Sequence, residues 1–149
     1  MTFKQKIKQQ HVLLLQDKID LYQDMISGLS DDAQNDAKGS AGDKHETALS
    51  MMHLEQEKLT NKLKEAIALK DILEKIDVSK TTTIIALGSY VKVNTMQLFI
   101  SAALPKISLE DVTILSVSPQ SPLGNQLIGK KQHDTVVVNG NSFTIHEIL

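Results

Sequence analysis

The sequence contains no cysteine, no tryptophan and no arginine, and aromatic residues fill only 3% of its 149 positions. Without cysteine there is no disulfide, no thiolate metal site and no thiol nucleophile, which fits a reducing compartment. All sixteen basic residues are lysine. Lysine can act as a point charge towards phosphate, but the planar two-pronged contacts with which guanidinium groups commonly read guanine are excluded. The net charge of −2 also lacks the basic excess of a protein that grips duplex nucleic acid by itself, so any such contact is expected to be indirect. The longest apolar stretches, such as Ile84 to Leu87, are far too short to span a bilayer. Met1 to Gln10 carries lysines without the apolar stretch of a secretory leader, so no membrane association is expected and the reading is cytoplasmic.

What is present is ordinary for a folded chain, with 41% hydrophobic and 23% charged residues. Val12, Leu15, Ile19, Tyr22, Ile26, Leu29 and Ala33 recur at alternating steps of three and four, the seam of a helix packed on another helix. Leu49, Met52, Gln56, Leu59, Leu63, Ala66, Lys70 and Leu73 repeat the pattern with two polar interruptions. Between them, Ser30 to Lys44 is rich in Asp, Asn, Ser, Gly and Ala, and it reads as the turn of an antiparallel hairpin. Two helices of roughly 30 residues at about 1.5 Å each would hold that turn about 45 Å from the hairpin base.

After Ile76 the pattern changes. Thr81, Thr82 and Thr83 open a β-rich half, with strands expected at Tyr90 to Asn94, Gln97 to Ser101 and Val112 to Val117. Ser121 with Pro122 starts a short helix ending near Gly129, and Asn139-Gly140-Asn141 turns a hairpin between Thr135 to Val138 and Ser142 to Ile148. The expected organisation is α+β: a helical hairpin over residues 1–76 with its acidic tip near 39–46, a linker at 77–83, and a small antiparallel β domain with one short helix over 84–149.

Several motifs have plain explanations. Gly124, Gly129 and Lys130 have P-loop spacing, but Lys131 stands where Ser or Thr must bind magnesium, and the helix precedes the glycine instead of following it. Five histidines, His11, His45, His53, His133 and His146, show no zinc-ligand spacing and read as solvated. Gly39-Ser40-Ala41-Gly42 is a flexible turn and not a nucleophile elbow. Asp43 and Glu46, at the start of the second helix, fit a capping box. Their place at the far end of a hairpin also suits delivery of two carboxylates to another molecule's hard cation, such as Mg²⁺. The two roles are compatible.

Two stretches resemble the Gre family of bacterial transcript-cleavage factors. Gly42-Asp43-Lys44-His45-Glu46-Thr47-Ala48 is similar to the family's acidic tip, G-D-x-x-E-N-A, and Ser121-Pro122-Leu123-Gly124-Asn125-Gln126-Leu127-Ile128-Gly129-Lys130-Lys131 is similar to its S-P-x-x-x-x-L-I-G-K segment. The order of parts agrees over nearly the whole chain, and the resemblance implies an FKBP-like β domain. It further implies a monomer whose β domain binds the rim of the RNA polymerase secondary channel through Ser121, Pro122, Leu123, Gly124, Leu127, Ile128, Gly129 and Lys130. On the same implication, Asp43 and Glu46 reach the polymerase's Mg²⁺ and promote cleavage of a backtracked RNA 3′ end. The chain itself would be an accessory, with no cofactor of its own. It departs from the family at Thr47, where Asn is usual, and at Lys44 and His45 within the acidic motif. A non-cleaving channel regulator is therefore an alternative, and an FKBP-like isomerase or chaperone and a coiled-coil dimerisation module are more distant ones.

Overall fold

In the computed structural model the backbone is described for residues 1–39 and 42–149, and side chains for residues 1–31 and 46–149. Two helices, α1 (Phe3–Gly39) and α2 (Gly42–Glu74), precede β1 (Tyr90–Val93), β2 (Met96–Ile100), β3 (Ile107–Leu109) and β4 (Val112–Val117). A short α3 (Pro122–Leu127), β5 (Thr135–Val138) and β6 (Asn141–Ile148) complete the α+β chain. These elements divide into two compact units, one of Leu14–Lys70 and one of Met1–Leu13 with Asp71–Leu149.

The Leu14–Lys70 unit is made of the paired lengths of α1 and α2. Leu15, Ile19, Leu59 and Ala66 are buried, while Tyr22, Ile26, Leu29, Leu49, Met52, Gln56, Leu63 and Lys70 are half-buried. Every described residue of the expected seams is thus withdrawn from water, because steps of three and four keep one side of a helix facing its neighbour. The Lys70 ammonium donates to Gln16 Oε1 at 2.7 Å, so a polar interruption of the seam is satisfied across the pair. Ala33 lies outside the described side chains.

The other unit begins with a reciprocal capping box. The Gln5 amide donates to Thr2 Oγ1 at 3.2 Å, and the Thr2 amide donates to Gln5 Oε1 at 2.9 Å. This satisfies donors left free at the start of α1. At the other end of the pair, α2 has no basic residue in its last turn. Lys8 of α1 supplies the missing charge, its ammonium donating to the carbonyls of Glu74 at 3.0 Å and Ile76 at 2.8 Å. Along residues 77–83, Val78 is buried and Thr82 is half-buried, and the Lys80 carbonyl accepts from the Lys4 ammonium at 2.7 Å.

The six strands form one sheet in the order β3-β4-β2-β1-β6-β5. Its central strands are covered on both faces. Val91, Val93, Leu98 and Ile100 join Ile85, Leu127, Val136 and Ile145 in one core. On the opposite face Tyr90 and Phe99, paired across β1 and β2, meet the first turns of α1. The Phe3 ring stands edge-on to Tyr90 at 5.3 Å, and His11 stacks on Phe99 at 6.0 Å.

One pairing departs from the expected antiparallel sheet: β2 and β4 run parallel, Leu98 opposite Leu115. The chain leaves β2, turns back through β3 at the edge, and returns in β4 between the two. The turn joining β3 to β4, Glu110-Asp111, has φ of 50° and 65°. The turn joining β5 to β6 is Asn139-Gly140, with φ of 51° and 79° and Val138 paired to Asn141. Both are two-residue connections of the left-handed type that suits strand twist. At Asn94, with φ of 52°, the side chain ties β1 to β6 by donating to the Ser142 carbonyl and accepting from the Thr144 amide. These bonds lie just beyond the place where the register skips from Lys92 opposite Glu147 to Val93 opposite Ile145.

Candidate partner-docking segment

The segment Ser121 to Lys131 is built around α3. The Ser118 carbonyl accepts from both the Ser121 amide, at 3.0 Å, and the Ser121 hydroxyl, at 2.7 Å. Ser121 Oγ in turn accepts from the Gly124 amide at 3.0 Å, so it caps the helix, with Pro122 in the first turn where a missing N–H costs nothing. Gly124 is held so close to this turn that an added Cβ would lie 1.9 Å from the Ser118 carbonyl oxygen. Leu123 packs against the core and Leu127 is fully buried in it.

α3 ends with the Ile128 amide donating to the Gly124 carbonyl at 3.1 Å. Gly129 then turns the chain at φ +83°, a conformation that a side chain resists. Its amide donates to the Ile85 carbonyl at 2.8 Å, and the Ile85 amide donates to the Lys130 carbonyl at 2.9 Å. Ile84 forms a bridge with Lys131. The helix precedes Gly129-Lys130, the reverse of a phosphate loop.

The eight candidate docking residues therefore fall into two groups. Ser121, Leu123, Gly124 and Leu127 are turned towards the fold, whereas Pro122, Ile128, Gly129 and Lys130 are exposed. The 84–88 segment also stands beside them, which the sequence pattern did not indicate. Exposed Leu87 follows Ile85 by two residues, in a turn closed by the Ser89 amide on the Ala86 carbonyl.

At the other candidate position, Glu46 is exposed near the start of α2. The side chains of Asp43, Lys44 and His45 lie outside the described residues, as does the capping box expected for Asp43. The reading of all five histidines as solvated is corrected at His11, which is 1% exposed. Its Nε2 faces the Pro105 carbonyl at 3.3 Å. Its Nδ1 is buried without a hydrogen bond, although the Ile7 carbonyl one turn back favours protonation slightly. Burial is the larger influence and holds the imidazole pKa below its ordinary value. His53, His133 and His146 are exposed.

A shallow groove beside α3 is lined by Ser116, Val117, Ser118, Ser121, Leu123 and Val138 among others, none of them aromatic. That lining differs from the aromatic pocket expected of a prolyl isomerase. No helix among the described residues is long and apolar enough to cross a membrane.

No family model matches the chain, and no curated protein matches it. Among solved structures, the transcription factor Gfh1 is similar at 16% identity over 93% of this chain and 92% of that one, with a TM-score of 0.36.

Proposed function

We propose that the chain is a Gre-like transcription factor that binds RNA polymerase at the rim of the secondary channel. In this reading the Ser121 to Lys131 segment docks, a single copy acts, and the α1–α2 junction enters the channel. Its tip carboxylates then stimulate cleavage of a backtracked RNA 3′ end by the polymerase, so the chain is an accessory and not itself an enzyme. One observation carries the reading. Two long helices whose junction holds Gly42-Asp43-Lys44-His45-Glu46-Thr47-Ala48 precede a sheet, and that sheet's only described α-helix lies within the Ser121 to Lys131 motif.

The donor set at the tip is suited to a shared metal. Asp43 and Glu46, three residues apart on α2, are hard oxygen ligands of the kind Mg²⁺ prefers, and two of them are too few to hold it alone. Asp43 and Glu46 would therefore complete a coordination shell drawn mainly from the polymerase, where such a metal activates water for phosphodiester hydrolysis.

Lys44 and His45 favour a second reading. The Lys44 ammonium inside the acidic motif, with the His45 imidazole beside it, opposes recruitment of a cation, and a chain that occupies the channel without promoting cleavage would inhibit or regulate the enzyme.

The test is binding to purified cognate RNA polymerase, followed by cleavage of RNA in a stalled complex. The Asp43→Asn, Glu46→Gln double variant keeps polar groups at the helix start while removing both charges. The cleavage reading expects normal binding by this variant with most stimulation lost. A parent chain that binds and blocks elongation without cleavage supports the regulatory reading, and a parent that does not bind polymerase sinks both.

A further inference from the structure

Isolated exposed apolar residues are common on soluble proteins, whereas several brought together by the fold mark a contact surface. Ile84, Leu87 and Ile128 are 42%, 51% and 39% exposed. They come from two stretches some forty residues apart in sequence, 84–87 and 128–131, whose backbones are hydrogen-bonded to each other. Gly129, next to Ile128, donates to the carbonyl of Ile85, next to Ile84. Leu87 follows in the turn that Gly88 makes at φ +92°.

The direction of the Ile84 side chain is set by the pairing. Ile85 is 1% exposed and belongs to the core, so its neighbour Ile84 projects to the other side, where its bridge partner Lys131 lies. Neither the Lys130 nor the Lys131 ammonium has a carboxylate partner among the described residues. Exposed apolar residues and two lysine ammonium groups thus share these two stretches, as in a protein contact with a polar rim, and the one carboxylate held there, Asp134, accepts from the Lys131 amide at 2.8 Å and not from either ammonium.

We infer that Ile84, Leu87 and Ile128 form the apolar centre of the polymerase contact, and that Lys130 and Lys131 select an apolar stripe flanked by carboxylates on the polymerase surface. This rests on the polymerase reading above. It adds two residues, Ile84 and Leu87, that the Ser121 to Lys131 motif does not contain. It also assigns the exposed half of that motif to recognition and its buried half to folding. The acidic flank follows from charge complementarity, which sets partner choice and encounter rate more than total affinity.

The experiment measures Kd between the full chain and purified RNA polymerase for the parent and for Leu87→Ser, Ile128→Ser and Lys130→Gln with Lys131→Gln. Val137→Ser, at an exposed edge-strand residue outside the proposed patch, serves as control. All sites are exposed, so circular dichroism melting should leave the folded state unchanged. Each apolar change should raise Kd about tenfold or more, as at the centre of a contact, and the control should not. The lysine pair should bind more weakly at low salt and show a flatter dependence on ionic strength. If the parent binds and both folded serine variants bind equally well, the patch assignment is wrong while the polymerase reading stands. Unchanged affinity and salt dependence in the lysine pair would remove the acidic partner surface. A parent that fails to bind overturns the inference together with the reading beneath it.

Discussion

Replacing Gly124 with alanine separates folding from docking in the segment that carries the family resemblance. The new Cβ would lie 1.9 Å from the Ser118 carbonyl oxygen, 2.8 Å from its carbon and 2.9 Å from Ser121 Oγ, where ordinary contact begins near 3.4 Å. Backbone stands in the way, so rotation of a side chain cannot relieve the clash. Either α3 or the Ser118 turn must move by more than an ångström, and the helix cap goes with it, because the Gly124 amide that Ser121 Oγ accepts from would be displaced. Overpacking costs about 1–3 kcal/mol and loss of a cap about 0.5–2 kcal/mol, for a total of about 1.5–5 kcal/mol. Domains of this size have only about 5–15 kcal/mol of stability. Thermal melting should therefore fall by at least about 3 °C, at roughly 2 °C or more per kcal/mol for a chain of this length. Asn125→Ala, an exposed neighbour on the same helix, should change stability by less than about 0.5 kcal/mol. Any loss of partner binding by Gly124→Ala should track the unfolded fraction and recover on cooling. A melting curve equal to that of the parent would refute the packing argument and return Gly124 to the docking surface.

Three further outcomes follow from the geometry. His11 is kept neutral by burial, so above an ordinary pKa near 6.5 it opposes nothing. As pH falls below that value the unfolded chain takes up a proton that the folded chain resists, and stability is lost; urea midpoints should drop between pH 7 and pH 5.5, and drop less in His11→Leu. Leu127→Ala empties a fully buried position and should cost about 2–5 kcal/mol by urea titration, whereas Gln126→Ala, at the exposed position beside it, should cost almost nothing. Lys8→Met removes the donor that the Glu74 and Ile76 carbonyls share and should lower stability by about 1 kcal/mol in thermal melts, with Lys8→Arg recovering part of the loss.

The parts of this fold that are local in sequence could be read from it. Helix pairing writes itself into steps of three and four, and Gln56 and Lys70 kept those steps despite being polar, because a long side chain can lie along the seam and reach out at its end. The Asn139-Gly140 turn carries residues that tolerate positive φ, and it was legible for that reason. Glu110-Asp111 adopts the same kind of turn with residues that give no such signal, so β3, only three residues long, left no pattern. The parallel contact of β2 with β4 depends on which strand inserts beside which, and alternation along either strand is blind to it. His11 is different, because its burial was within reach. Ile7, His11, Leu15 and Ile19, all buried, stand at four-residue spacing, and the seam needed only to be followed back past Val12.

The same distinction governs what a sequence motif can say about function. Ser121, Gly124 and Leu127 are accounted for by the fold alone: a cap, a close backbone approach and a core side chain. Any chain that builds α3 in this way needs residues of these kinds, whatever it binds. Gly129 is likewise demanded by its positive φ. Pro122 is favoured at the helix start but not required there, and the exposed Ile128 and Lys130 do nothing for the core. An isoleucine at a helix end that is 39% exposed is common by itself and gains meaning only beside Ile84 and Leu87. If the motif serves docking as proposed, the positions the fold leaves free are where that role has to be sought. Measurements that vary Ile128 and Lys130 while sparing Gly124 and Leu127 are the ones able to read it.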